Sequence, residues 1–135
     1  MFLEFAELVH LSQADREIVS WVILDTIRHK RENGPEDNQL YLDLCAYFLD
    51  SDLSILCADQ ATYDEYANRI WLEYEFVGRQ VYCSKRPEVL EKLCEVNPYF
   101  KEPFKSQFES CAIPNVKREI ARLRAEISQA EEAKL

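Results

Sequence analysis

Three aspartates, Asp43, Asp50 and Asp52, sit inside the most apolar run of this chain, Tyr41 to Asp59, YLDLCAYFLDSDLSILCAD. An ionised carboxylate taken out of water needs a cation, a metal ion or several hydrogen-bond donors. A buried helix carrying Asp50 and Asp52 is therefore either compensated structurally or part of a site. Two residues apart, these carboxylates point about 200° from one another on a regular helix and cannot share one ion unless the helix breaks there. Asp43 lies seven before Asp50 and shares its face. Three carboxylates in so short a run argue against a membrane span, so the run reads as a buried helix of a water-exposed protein.

The other residues with chemical potential are few. His10 ends a short amphipathic segment and reads as a surface or cap histidine. His29 follows Thr26 on the helix before the acidic run, where it is a candidate ligand and, with Arg28, Lys30 and Arg31, equally one of the cations that a helix C-terminus favours. Five cysteines, Cys45, Cys57, Cys83, Cys94 and Cys111, are odd in number and widely spaced, with no CxxC pair. They read as reduced, mostly buried thiols of a cytoplasmic protein, indicating neither a zinc site nor a disulfide framework. No nucleophile elbow, P-loop, dinucleotide fingerprint or HExxH motif is present.

The elements that must position these residues are helices. At 135 residues, the chain has the length of one domain. Sixteen Lys and Arg against 25 Asp and Glu give a net charge of −9, which disfavours nucleic acid and anionic membranes as partners. MFLEFAELVHL carries acids and no basic n-region, so it does not read as a signal peptide. Phe2 to Val9 is a short amphipathic piece with Phe2, Phe5, Ala6 and Val9 on one face. Ser12 with Asp15 forms a capping box for a helix reaching about Arg31, with Ile18, Trp21, Val22, in part Leu24, and Ile27 at helical spacing. Residues 32–38, ENGPEDN, are a loop. The buried helix bends or breaks between Asp50 and Asp59, and Asp59 or Thr62 caps the next helix, whose apolar face is Tyr63, Tyr66, Ala67, Ile70, Tyr74 and Val77. On its flank Arg69 and Glu73 are spaced to pair. Gly78 ends it, Ser84 begins another with Pro87 at N3, and Asn97-Pro98 stops that one. Pro114 or Asn115 starts the last helix, whose end frays over 125–135. The prediction is an all-α, single-domain helical bundle spanning 1–135.

The segments ILDTIRHK, FLDSDLSIL, YDEYANRIWLEYEFV, KRPEVLEKL, NPYFKEPF and FESCAIPNVKREI occur in that order. Over about residues 8 to 124 this ordered set resembles the C-terminal part of the predicted metal-dependent HD-superfamily phosphohydrolases, the LDxDLxIL run and the following YxxYxxxIxxEY helix being the most specific parts. The resemblance implies an α-helical HD domain in which a His, an adjacent His-Asp pair and a distant Asp hold a divalent metal such as Mn, Mg or Fe. Asp52 matches the distant Asp best and Asp50 second. His29 matches the second of two adjacent histidines, with Arg28 where the first would stand. Glu73 and Arg86 match polar positions of the family's C-terminal helices, expected here as a buried ion pair.

No His-Asp dipeptide occurs in the chain, and the family's first His and His-Asp pair belong to helices that would precede Phe5. One aspartate with one histidine gives a hard divalent ion too few ligands. The expectation is a truncated or degenerate phosphohydrolase-like protein, inactive alone. Its alternatives are an active hydrolase completed by another chain or by upstream sequence, and a helical protein-interaction module. An apolar face left uncovered would favour self-association as a homodimer.

Overall fold

Side-chain caps open the helices that begin at Gln13, Gln39 and Gln60. A computed structural model describes residues 2–133, with side chains over 3–133, so the place given to Phe2 on an apolar face lies outside the described side chains. After α1 (Phe2–Leu8), the Ser12 hydroxyl accepts the Asp15 N–H and donates to its carboxylate at 2.6 Å, opening α2 (Gln13–Asp25) as the capping box predicts. Asn38 accepts the Tyr41 N–H at the start of α3 (Gln39–Asp52). The Asp59 carboxylate accepts the Thr62 N–H and hydroxyl to open α4 (Gln60–Glu73). No strand occurs among the described residues, and none of their helices is long and apolar enough to cross a membrane.

The chain divides into two compact units, Met1–Asp52 and Leu53–Leu135. In the first, α2 packs on α3, with Ile18, Val22, Tyr41, Cys45, Ala46 and Leu49 buried and the Trp21 ring edge-on to Tyr41. α2 is shorter than its sequence pattern suggests. It ends at Asp25, and His29 adopts a left-handed φ of 52° while the Lys30 N–H bonds the Asp25 carbonyl, the six-to-one bond of a Schellman terminus. Leu24 and Ile27, placed on the apolar stripe from their spacing, are exposed. α1 ends the same way, with His10 at φ 55° and the Leu11 N–H on the Ala6 carbonyl. Its Phe5 and Val9 are exposed too, leaving Ala6 as its buried residue among the described side chains.

The second unit opens with a 3₁₀ turn (Ser54–Cys57), the break expected between Asp50 and Asp59. α4 buries Tyr63 and Ala67, half-buries Tyr66 and Ile70, and leaves Tyr74, expected in the core, exposed. Gly78, at φ 84°, turns the chain into α5 (Arg79–Glu95). This helix starts five residues before the predicted Ser84, so Pro87 sits in its interior, where it cannot donate to the Cys83 carbonyl. The earlier start has a tertiary cause. The Arg79 guanidinium forks onto both Glu126 oxygens, at 2.7 and 2.9 Å, and lies 4.8 Å over the Trp71 ring, so the first turn of α5 is anchored.

A short helix, α6 (Glu102–Lys105), and a π turn (Phe108–Ala112) lead into α7 (Ile113–Glu132). α5 and α7 form the most extensive helix pair, over a core of Leu56, Tyr63, Leu90, Tyr99, Phe108 and Val116. α7 is helical to Glu132, with Ile127 packed against Tyr82, Cys83 and Leu123; Lys134 and Leu135, part of the segment expected to fray, lie outside the described residues. Cys57 and Cys111 form a disulfide, a correction to the expectation of five reduced thiols; Cys45, Cys83 and Cys94 are free. Beside the disulfide, the Asn115 amide donates to the carbonyls of Leu56 and Ala58, 2.9 Å each, so the 3₁₀ turn is clasped to the start of α7.

Candidate functional site

One buried carboxylate of the first unit is Asp25, at the end of α2. It is 1% exposed, and its Oδ1 accepts the backbone N–H of Glu32 (3.1 Å), that of Asn33 (3.0 Å) and the Asn33 side-chain amide (2.6 Å). Its Oδ2 accepts the Tyr41 hydroxyl and, at 3.2 Å, the Cys45 thiol. Five donors fill the lone-pair positions of one carboxylate. Burial pushes the Asp25 carboxyl up, but the bonds from Tyr41, Asn33, Glu32 and Cys45 outweigh it and hold the group below its ordinary range. Burial and the same carboxylate push the Tyr41 phenol and the Cys45 thiol up to about 12 each. Neither is a thiolate or phenolate at neutral pH, all three side chains are closed to solvent, and the cluster ties Glu32 and Asn33 to α3 through Asp25.

Sequence reasoning passed over Asp25. Positions 18, 22 and 25 fall on one helix face, and Ile18 and Val22 are buried there. A carboxylate at the third position of an apolar stripe is the same signal that singled out Asp50, and it was there to be read.

The predicted metal ligands occupy different settings. Asp50 is fully buried on α3, with electrostatic or hydrogen-bonded company, whereas Asp52 at the helix end is exposed. His29 holds the left-handed position that stops a helix, a role in which His, with Asn and Asp, is over-represented among non-glycine residues. Among the described residues no group of three or more His, Cys, Asp or Glu could hold a metal ion. In the second unit, the buried ion pair expected of Arg86 is made with Glu119 of α7 (3.1 Å), which also accepts the Tyr63 hydroxyl at 2.6 Å. Glu73, its expected partner, is exposed, and Arg69 pairs with Glu65 instead.

Between its polar ends, Gln39 and Ser51 with Asp52, α3 presents an apolar row to solvent. Leu40, Leu44, Tyr47 and Phe48 are 57, 47, 56 and 50% exposed, and their i, i+4, i+7, i+8 spacing places them in one row. The opposite face of the same helix is the buried one, with Tyr41, Cys45, Ala46 and Leu49. The run that looked fully buried in sequence is thus apolar on two faces and covered on one. Asp52 follows Phe48 by four and closes the row. No protein-family model, curated protein or solved structure matches this chain.

Proposed function

We propose that this chain is a helical association module on a scaffold resembling the HD phosphohydrolases, without a complete metal centre of its own. The observation that carries the reading is the uncovered row Leu40, Leu44, Tyr47 and Phe48 on α3. Four large apolar side chains in one row form a contiguous patch of the kind that marks interaction sites. The donor set supports the second half of the reading. Asp52 is the one exposed candidate carboxylate of α3's end, Asp50 is enclosed, and His29 serves as a helix stop.

Titration calorimetry of metal-stripped protein with Mn²⁺ tests this. The expected outcome is no stoichiometric binding in the wild type, in Asp52→Ala or in His29→Gly, and unchanged or higher thermal stability in His29→Gly because glycine takes a left-handed φ without cost. Binding tighter than about 10 μM that vanishes in Asp52→Ala would overturn the reading and restore the metal-dependent hydrolase. One observation favours a second reading, a hydrolase completed by another chain: Asp52 lies at the end of the apolar row, so an element covering that row would reach it. In that case, Mn²⁺ binding would appear only when the row is occupied.

A further inference from the structure

We infer that the exposed row of α3 receives a basic amphipathic helix from another protein; the inference rests on the association reading above and names its partner. Spacing of i, i+4, i+7 and i+8 is what a helix laid against a helix requires, each apolar side chain of one entering between those of the other. Charge decides which helix fits. Around α3, Asp43 falls about 100° from Leu44 on one edge of the row and Asp52 about 80° on the other. Glu36 and Asp37 are exposed in the segment that enters the helix. From residue 32 to residue 52 there are six acids and no Lys, Arg or His. The C-terminal end of α3 adds the negative pole of its backbone dipole beside Asp52.

The same pattern argues against the homodimer expected from sequence. The first unit holds four basic and eleven acidic residues, −7 of the chain's −9. A two-fold contact through this row would bring the acid-rich surroundings of one copy's row against those of the next, and α3 itself carries no Lys, Arg or His. An anionic membrane is disfavoured for the same reason. Lys and Arg flanking the apolar anchors of an incoming helix satisfy both the row and its rim.

The test uses the full chain and two fluorescent peptides of about 20 residues that share one Leu/Trp face, the first with Lys and Arg on its polar face, the second with Glu. Anisotropy is expected to give micromolar binding of the basic peptide, at least tenfold weaker binding of the acidic one, and a loss of about tenfold between 50 and 300 mM salt. Leu44→Gln and Phe48→Ser are expected to weaken the basic peptide at least tenfold. Asp43→Lys with Asp52→Lys is expected to narrow the difference between peptides while circular dichroism stays helical. Equal affinity for both peptides, or binding indifferent to Leu44→Gln and Phe48→Ser, overturns the inference. A concentration-dependent dimer in sedimentation that Leu44→Gln abolishes would make a second copy the occupant, overturning the basic partner and keeping the association reading. A monomer that binds neither peptide would overturn both.

Discussion

Asp25 accepts five hydrogen bonds and spends all of them on holding a turn in place. Replacing it by Ala removes the acceptor of the Glu32 and Asn33 N–H groups, the Asn33 amide and the Tyr41 hydroxyl, and strands these buried polar groups at a cost of about 3 kcal/mol. Amide exchange at Glu32 and Asn33 is expected to accelerate in that variant, because their N–H groups lose their acceptor. The pH dependence follows from the directions of the shifts. A carboxyl held below its ordinary 3.8 stabilises the fold above that pH and ceases to as the pH falls through its folded value. Tyr41 and Cys45, raised from 10 and 9 to about 12, act with the opposite sign: their contribution is complete below pH 9 and is withdrawn as the pH climbs to 12. Thermal unfolding across pH 2 to 12 is expected to fall off at both ends, with the alkaline limb flatter in Cys45→Ala. Gly34 belongs to this cluster, since a Cβ there would stand 2.7 Å from the Tyr41 ring. Residue types and periodicity are enough to locate such a carboxylate, whereas its donors come from a loop whose course no spacing rule describes.

The starts of α2 and α4 were legible because caps act within three residues: Ser12 with Asp15, and Asp59 with Thr62, are local chemistry, whereas α5, without a side-chain cap, starts where no such signal stands. Helix ends and partners were less so. IRHK reads equally as a last turn rich in cations or as a turn already outside the helix, and a left-handed His leaves no mark comparable to glycine. The Arg86 partner is illegible for a related reason: Glu73 and Glu119 are equally plausible by type, and only the packing of α5 on α7 selects Glu119. That selection has a measurable consequence. Glu119→Gln leaves Arg86 without its counter-charge and is expected to destabilise the second unit by about 3 kcal/mol in urea unfolding. Tyr82→Phe, close by in α5, is the control. The Tyr82 hydroxyl is buried without a hydrogen bond, so its removal is expected to be neutral or stabilising.

Across the whole chain, the all-α class could be read from two glycines in 135 residues and the absence of strand-like alternation. The Cys57–Cys111 bond could not, because its partners are 54 apart in sequence and nothing local joins them. In the chain-entropy model a loop of that size stabilises the folded state by about 4 kcal/mol. Reduction, or Cys57→Ser with Cys111→Ser, is expected to lower the melting temperature by several degrees, and thiol counting on the unfolded, unreduced protein is expected to find three of the five cysteines. Five thiols and an unchanged melting temperature under reductant would contradict the pairing.

The bond also changes how the molecule carries a mechanical load. Force applied at the two ends of the oxidised chain passes from the 3₁₀ turn straight through the sulfurs into the π turn before α7, bypassing α4, α5 and α6. About 180 Å of contour length is thereby withheld from any pull on the oxidised protein and released when the bond is cut, so stretching a single molecule before and after reductant reads the pairing directly as a difference in reach.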